Sequence, residues 1–170
     1  MRKSLLFLIV LLAAWSCKES DPEVYTGQQL EYPLFKANDY DYTGTLTIRE
    51  LTDRNLELTL QLSGPSSNAS TSFPAHLHYG NYSEPDAPMA FMLNQVNGDN
   101  LKSTTVLGAL MNGDKLSFDD MKNFDGHVKV HLASEGPDYK VILVAGNIGS
   151  NLNDALEFDA SKLTSCSPNF

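Results

Sequence analysis

Two histidines one residue apart, His76 and His78, carry the sharpest chemical signal in this chain. They sit in the run from Phe73 to Gly80, FPAHLHYG. The run alternates as a strand does, with Ala75, Leu77 and Tyr79 on one face and His76 and His78 on the other. Residues i and i+2 of a strand lie roughly 6.5 to 7 Å apart, from which two imidazoles can converge on one metal ion. The bland alternative is a pair of histidines that tie loops to a sheet or face water.

Other chemistries find less support. The chain has no Cys-x-x-Cys, no phosphate-cradling glycine loop, no Gly-x-Ser-x-Gly elbow and no His-Glu-x-x-His. Asp119, Asp120 and Asp125 surround a short helical signal, where capping and solvation account for them better than acid–base catalysis. The turn from Asn97 to Asn100 is rich in oxygen donors, but no full calcium ligand series is spaced around it.

The elements that position the histidines read as strands. Leu30, Tyr32 and Leu34 alternate in a first strand, and Leu46 and Ile48 alternate against Thr45, Thr47 and Arg49 in a second. After the polar turn Thr52 to Asn55, Leu56, Leu58, Leu60 and Leu62 share one face of a third strand, which pairs with the second as a hairpin. Further strands are predicted over Met89 to Val96, Ser103 to Leu110, His127 to Leu132 and Tyr139 to Ala145. In the His127 run, Val128, Val130 and Leu132 point inward while His127, Lys129 and His131 point outward. The apolar run Val141 to Ala145 suits a central strand covered on both faces. Ser117-Phe118-Asp119-Asp120 forms a capping box with Asp in place of Glu, so one short helix is expected over 117–123. Tyr25, Tyr32, Tyr40 and Tyr42 are expected to pack the N-terminal region onto the body. Together this is an all-β domain: an antiparallel Greek-key sandwich or barrel of seven to eight strands.

The termini speak to location. Arg2 and Lys3, the apolar run Leu5 to Leu12 and the stretch Ala13 to Ser16 form a signal segment, residues 1–16, ahead of Cys17. A signal ending at cysteine resembles the lipobox of bacterial lipoproteins, which implies diacylation of Cys17 and acylation of the new amino terminus. Lys18-Glu19-Ser20-Asp21 resembles the sorting signals that send lipoproteins of the Bacteroidota to the cell surface, so the expected location is the outer membrane, facing the periplasm or the exterior. Residues 17–29 are read as lipidated cysteine and polar tether. Removing Arg2 and Lys3 leaves ten Lys and Arg against 21 Asp and Glu, a formal charge of −11. Such a surface argues against nucleic acid as a partner. Acylation of Cys17 would leave Cys166 without an intramolecular partner, and its surroundings suggest no role.

In order along the chain, Ala75 to Gly80, the segment Ser117 to Gly126, Val128 to His131 and Val144 to Asn151 resemble the chordin-type (CHRD) domain of bacterial lipoproteins. That domain is similar in fold to the copper/zinc superoxide dismutases. The resemblance spans 30–151, leaving 152–170 as a C-terminal extension. It implies a copper ligand set in which His76 and His78 match the His-x-His strand and His131 matches the late histidine. One copper or zinc ion on His76, His78 and His131 is the cofactor expectation. The two-metal dismutase site needs six histidines and the chain has four, so that site is excluded. On a straight strand His127 lies about 13 Å from His131, too far for one ion, and is expected to be a solvated strand residue. Two functions follow: a non-enzymatic, lipid-tethered binding module, or a copper-only enzyme that dismutates superoxide. The acidic chain offers little to draw in an anionic substrate, which favours the module.

Overall fold

The computed structural model describes residues 24–164. The expected signal segment 1–16, Cys17 and Cys166 lie outside the described residues.

Eight strands build the domain: β1 (Tyr25–Lys36), β2 (Thr43–Leu51), β3 (Leu56–Ser63), β4 (Ser72–Tyr79), β5 (Met89–Asn97), β6 (Lys102–Leu107), β7 (Asp125–His131) and β8 (Ile142–Gly149). They form one sheet in the order β5-β4-β7-β8-β1-β2-β3-β6, with every pairing antiparallel. The two end strands meet through two side chains: the Asn94 backbone N–H donates to Thr105 Oγ1 at 2.9 Å and Asn94 Nδ2 to the Thr104 carbonyl at 2.7 Å. The sheet is thereby nearly closed into a barrel. With β5 beside β6, strands β4, β5 and β6 run consecutively and β7 returns beside β4, a Greek-key order. The expected all-β class holds.

Alternation decides which side chains fill the barrel. Leu46 and Ile48 of β2 and Leu56, Leu58, Leu60 and Leu62 of β3 are all buried, and they pack with Leu77, Val128, Val130 and Ile148 in one core. Burying each such side chain stabilises the fold by about 1.5 to 3 kcal/mol relative to exposure. The opposite face of β3 carries Glu57, Thr59 and Gln61, which remain partly or fully exposed. The β2–β3 hairpin pairs Leu46 with Leu60 and Ile48 with Leu58, as the pattern requires.

The short helix α1 (Phe118–Lys122) lies between β6 and β7 in the chain, packs near β8 and is capped as read. Ser117 Oγ accepts from the Asp120 N–H at 3.2 Å while the Ser117 N–H donates to Asp120 Oδ2 at 2.9 Å. It buries Phe118 and Met121.

Some boundaries differ from the sequence reading. Strand β1 begins at Tyr25, so residues 25–29 are strand, not tether. Tyr25 pairs with Leu51 across an irregularity before Gln29, and its first residues face solvent, which hid them behind polar side chains. Strand β6 stops at Leu107, where the chain bends so that the Met111 N–H reaches the Ala90 carbonyl at 2.9 Å. Strand β8 starts at Ile142, because Tyr139 belongs to a 3₁₀ turn, Pro137–Lys140. Of the four tyrosines, Tyr42 is buried against the Phe73 ring, whereas Tyr40 stays exposed.

The extension after β8 is packed, not loose. At Gly149, φ is +66°, and an added Cβ would lie 1.9 Å from the Phe124 carbonyl oxygen. The tight turn sends the chain back across the outer face of the sheet. There Asn153 Nδ2 donates to the Pro33 carbonyl at 2.9 Å. The Phe158 ring lies between Phe35 and Tyr82, with centroids 5.0 and 4.8 Å away.

Candidate metal centre

The pairing of β4 with β7 brings the two histidine runs together. In this register His78 lies opposite His127 and His76 opposite Lys129. Because Ala75, Leu77, Val128 and Val130 fill the core, His76, His78, His127, Lys129 and His131 all point away from it. They are nevertheless buried: His76 is 3% exposed, His78 2%, and His127 and His131 0%. The cover comes from the loop after β4, the 3₁₀ turn before β8 and the C-terminal extension. Asn147 on β8 joins two of these layers, accepting from the Tyr82 N–H at 3.0 Å and donating to the Leu152 carbonyl at 2.8 Å. Lys129 Nζ donates to the Thr164 carbonyl at 2.8 Å, and Thr164 Oγ1 donates to the Glu84 carbonyl at 3.2 Å.

The rings form a row. The His76 centroid lies 5.0 Å from that of His131 and 5.9 Å from that of His78, with interplanar angles of 51° and 74°. The His127 ring stacks on His78 at 5.0 Å and 9°, and the Tyr139 ring stacks on His131 at 4.9 Å and 4°. The expectation that His127 is a solvated strand residue is therefore wrong. Its along-strand distance from His131 was the wrong measure, because its neighbour is His78 on the adjacent strand.

Backbone carbonyls fix the protons. His78 Nδ1 lies 3.1 Å from the Ala87 oxygen, His127 Nδ1 2.7 Å from Gly80 and His131 Nδ1 2.8 Å from Tyr139. A carbonyl oxygen only accepts, so each Nδ1 carries the hydrogen and each Nε2 keeps its lone pair. Metal-ligating imidazoles are held in this way in many proteins. Burial pushes all four histidines below the ordinary value of 6.5: His76 to about 4, with Lys129 adding to the effect, and His78 to about 3, with His127 and Lys129 adding. His127 falls to about 4, opposed by its bond to Gly80, and His131 to about 3, helped by His76. At neutral pH the rings are neutral, the form that binds a metal.

The fit to one ion can be judged from these numbers. Two imidazoles on a shared ion, with metal–nitrogen distances near 2 Å, hold their centroids roughly 5 to 6 Å apart. The pairs His76–His131 and His76–His78 meet that spacing. His127 does not join His78 on an ion, because lone pairs lie in the ring plane and parallel stacked rings aim theirs side by side. Among the described residues no group of three or more His, Cys, Asp or Glu side chains has its donor atoms gathered for an ion. One ion on all three also needs His78 within that spacing of His131, on the far side of His76, so coordination by His76, His78 and His131 requires the rings to turn and the row to close up.

No protein-family model, no curated protein and no solved structure matches this chain.

Lys129, Asn147 and Tyr139 were not singled out from the sequence. Lys129 carried a signal, since it alternates with His127 and His131 on one face. Asn147 and Tyr139 carried none, because their roles arise from what covers the sheet.

Proposed function

We propose that this protein is a lipid-anchored β-barrel module of the outer membrane that binds one copper or zinc ion through His76, His78 and His131, without turning over a substrate. The observation that carries the reading is the row of buried imidazoles: His76 lies 5.0 and 5.9 Å from His131 and His78. Those two partners are oriented by backbone carbonyls. The resemblance to CHRD-type lipoprotein domains points to the same three positions. Acyl chains on Cys17 are the proposed anchor. The seven residues from there to Val24 span at most about 25 Å, which keeps the barrel close to the bilayer.

The chain's own residues would do three things for an ion. His78 and His131 would present Nε2, their protons held on the far nitrogen by Ala87 and Tyr139. The ammonium of Lys129 helps hold the imidazoles unprotonated. The loop after β4, the 3₁₀ turn and the extension together leave these rings at most 3% exposed. A bound copper would supply a redox centre, and either ion would tie β4 to β7.

The test is metal content and affinity of the soluble domain starting at Val24, beside a His76→Ala variant. One ion per chain at micromolar free Cu(II) or Zn(II), lost on substitution, is expected. A stoichiometry near zero in the unaltered domain would leave a structural or adhesive module. Superoxide turnover by the copper-loaded domain that vanishes in His76→Ala would replace the binding reading with the dismutase one.

A further inference from the structure

The strand beside the histidine pair places sulfur against it. In the β4–β5 register Met92 lies directly opposite His76 and Met89 opposite His78. Directly opposed residues hold their Cβ atoms about 4.5 to 5.5 Å apart. Both methionines lie outside the core cluster that takes Ala90, Leu93 and Val96 from the same strand, so they share the outer face with the imidazoles. Met89 is buried, but Met92 is 55% exposed. The other exposed positions of β5, Asn94 and Gln95, are polar. An apolar side chain left half in water at mid-strand is the exception on this edge. Met92 and His76 also line one cavity of about 120 Å³, together with Gln95, Ser134 and Tyr139. The opening to solvent beside His76 therefore has a thioether at its rim.

We infer that Met92 is a metal ligand at the mouth of this cavity, and that it makes the site selective for the cuprous ion. The inference rests on the three-histidine reading above and adds to it the metal's oxidation state and its route of entry. A thioether is a soft, uncharged donor that favours Cu(I) and contributes little to Zn(II), which prefers thiolate, imidazole and carboxylate. Methionine is unbranched and flexible, so Met92 can meet an ion in solvent and follow it to His76. Met89, fixed beside His78, is the second thioether within one strand repeat of the rings. Cu(I) arrives already reduced, and no electron transfer is part of the step.

The experiment titrates the intact domain anaerobically with Cu(I) against a chromophoric chelator, and separately with Zn(II), for the unaltered protein and Met92→Leu. Methyl-labelled methionine spectra are recorded in parallel. Leucine keeps the volume and apolarity, so the barrel is preserved. The expected result is Cu(I) binding weakened by about tenfold or more in Met92→Leu with Zn(II) binding within about twofold of the unaltered protein. The Met92 methyl resonance should shift on adding Cu(I), while that of Met121, buried in the core, stays in place. Equal Cu(I) affinity in the two proteins, or an unshifted Met92 methyl at saturation, would overturn the thioether ligand and leave the histidine site standing. Failure of the unaltered domain to bind either metal would overturn both.

Discussion

Acidifying the metal-free domain from pH 7 to pH 5 should remove most of its folding stability, and the four buried imidazoles set the size of the effect. In the unfolded chain each titrates near 6.5, whereas in the fold burial holds them at about 3 to 4. As pH falls through 6.5 the unfolded chain takes up protons that the folded one does not, so stability is complete above that value and is lost below it. The loss levels off only near the folded values. At pH 5 each ring sits about 1.5 units below its unfolded value, which at 1.36 kcal/mol per unit is about 2 kcal/mol, or about 8 kcal/mol for four. Domains of this kind are stable by roughly 5 to 15 kcal/mol. Urea midpoints by far-ultraviolet circular dichroism at pH 7, 6 and 5 give the measurement, with a slope of about 5 kcal/mol per pH unit between 6 and 5. The carboxylates held below their usual range are Glu50, hydrogen-bonded by Thr26 and Gln28, Asp120, bonded by Ser117, and Asp159, bonded by Ser161. Their contribution is lost only at lower pH, so the window above 5 belongs to the histidines. A slope below about 1.4 kcal/mol per unit, less than one proton, would refute the claim that these rings are buried and neutral.

Two further outcomes test the cover and the turn that launches it. Phe158→Ala removes the ring between Phe35 and Tyr82; at about 2 kcal/mol for a half-buried aromatic, amide exchange across 150–164 should quicken by roughly 30-fold. The β2–β3 hairpin should keep its protection, and unchanged exchange in the extension would show that Phe158 does not hold it down. Gly149→Ala forces a Cβ to within 1.9 Å of the Phe124 oxygen at a positive φ, and the melting midpoint should fall by more than about 5 °C. A midpoint within 1 °C of the unaltered protein, read by calorimetry at about that precision, would mean that the turn relaxes without strain.

What the sequence settled by itself was local. A side-chain period of two marks strands wherever one face is apolar and the other polar, so β2, β3 and β7 were legible, with their inward leucines and valines. The cap at Ser117 is a four-residue pattern, and it was legible too. The same alternation showed His76 and His78 on one face, and His127, Lys129 and His131 on another. What alternation cannot say is which strands are neighbours. The β4–β7 register, made by residues some fifty positions apart, decided that His127 stacks on His78 and that His76 lies between His78 and His131. Nor can it say whether an outward face meets water. Phe158, Asn153 and Thr164 hold the extension over the outer face of the sheet through contacts with distant Tyr82, Pro33 and Lys129, and the loop after β4 and the 3₁₀ turn close over His78, His127 and His131. Periodicity reports only which side of its own strand a residue occupies; what lies on that side is set by the rest of the chain folding around it.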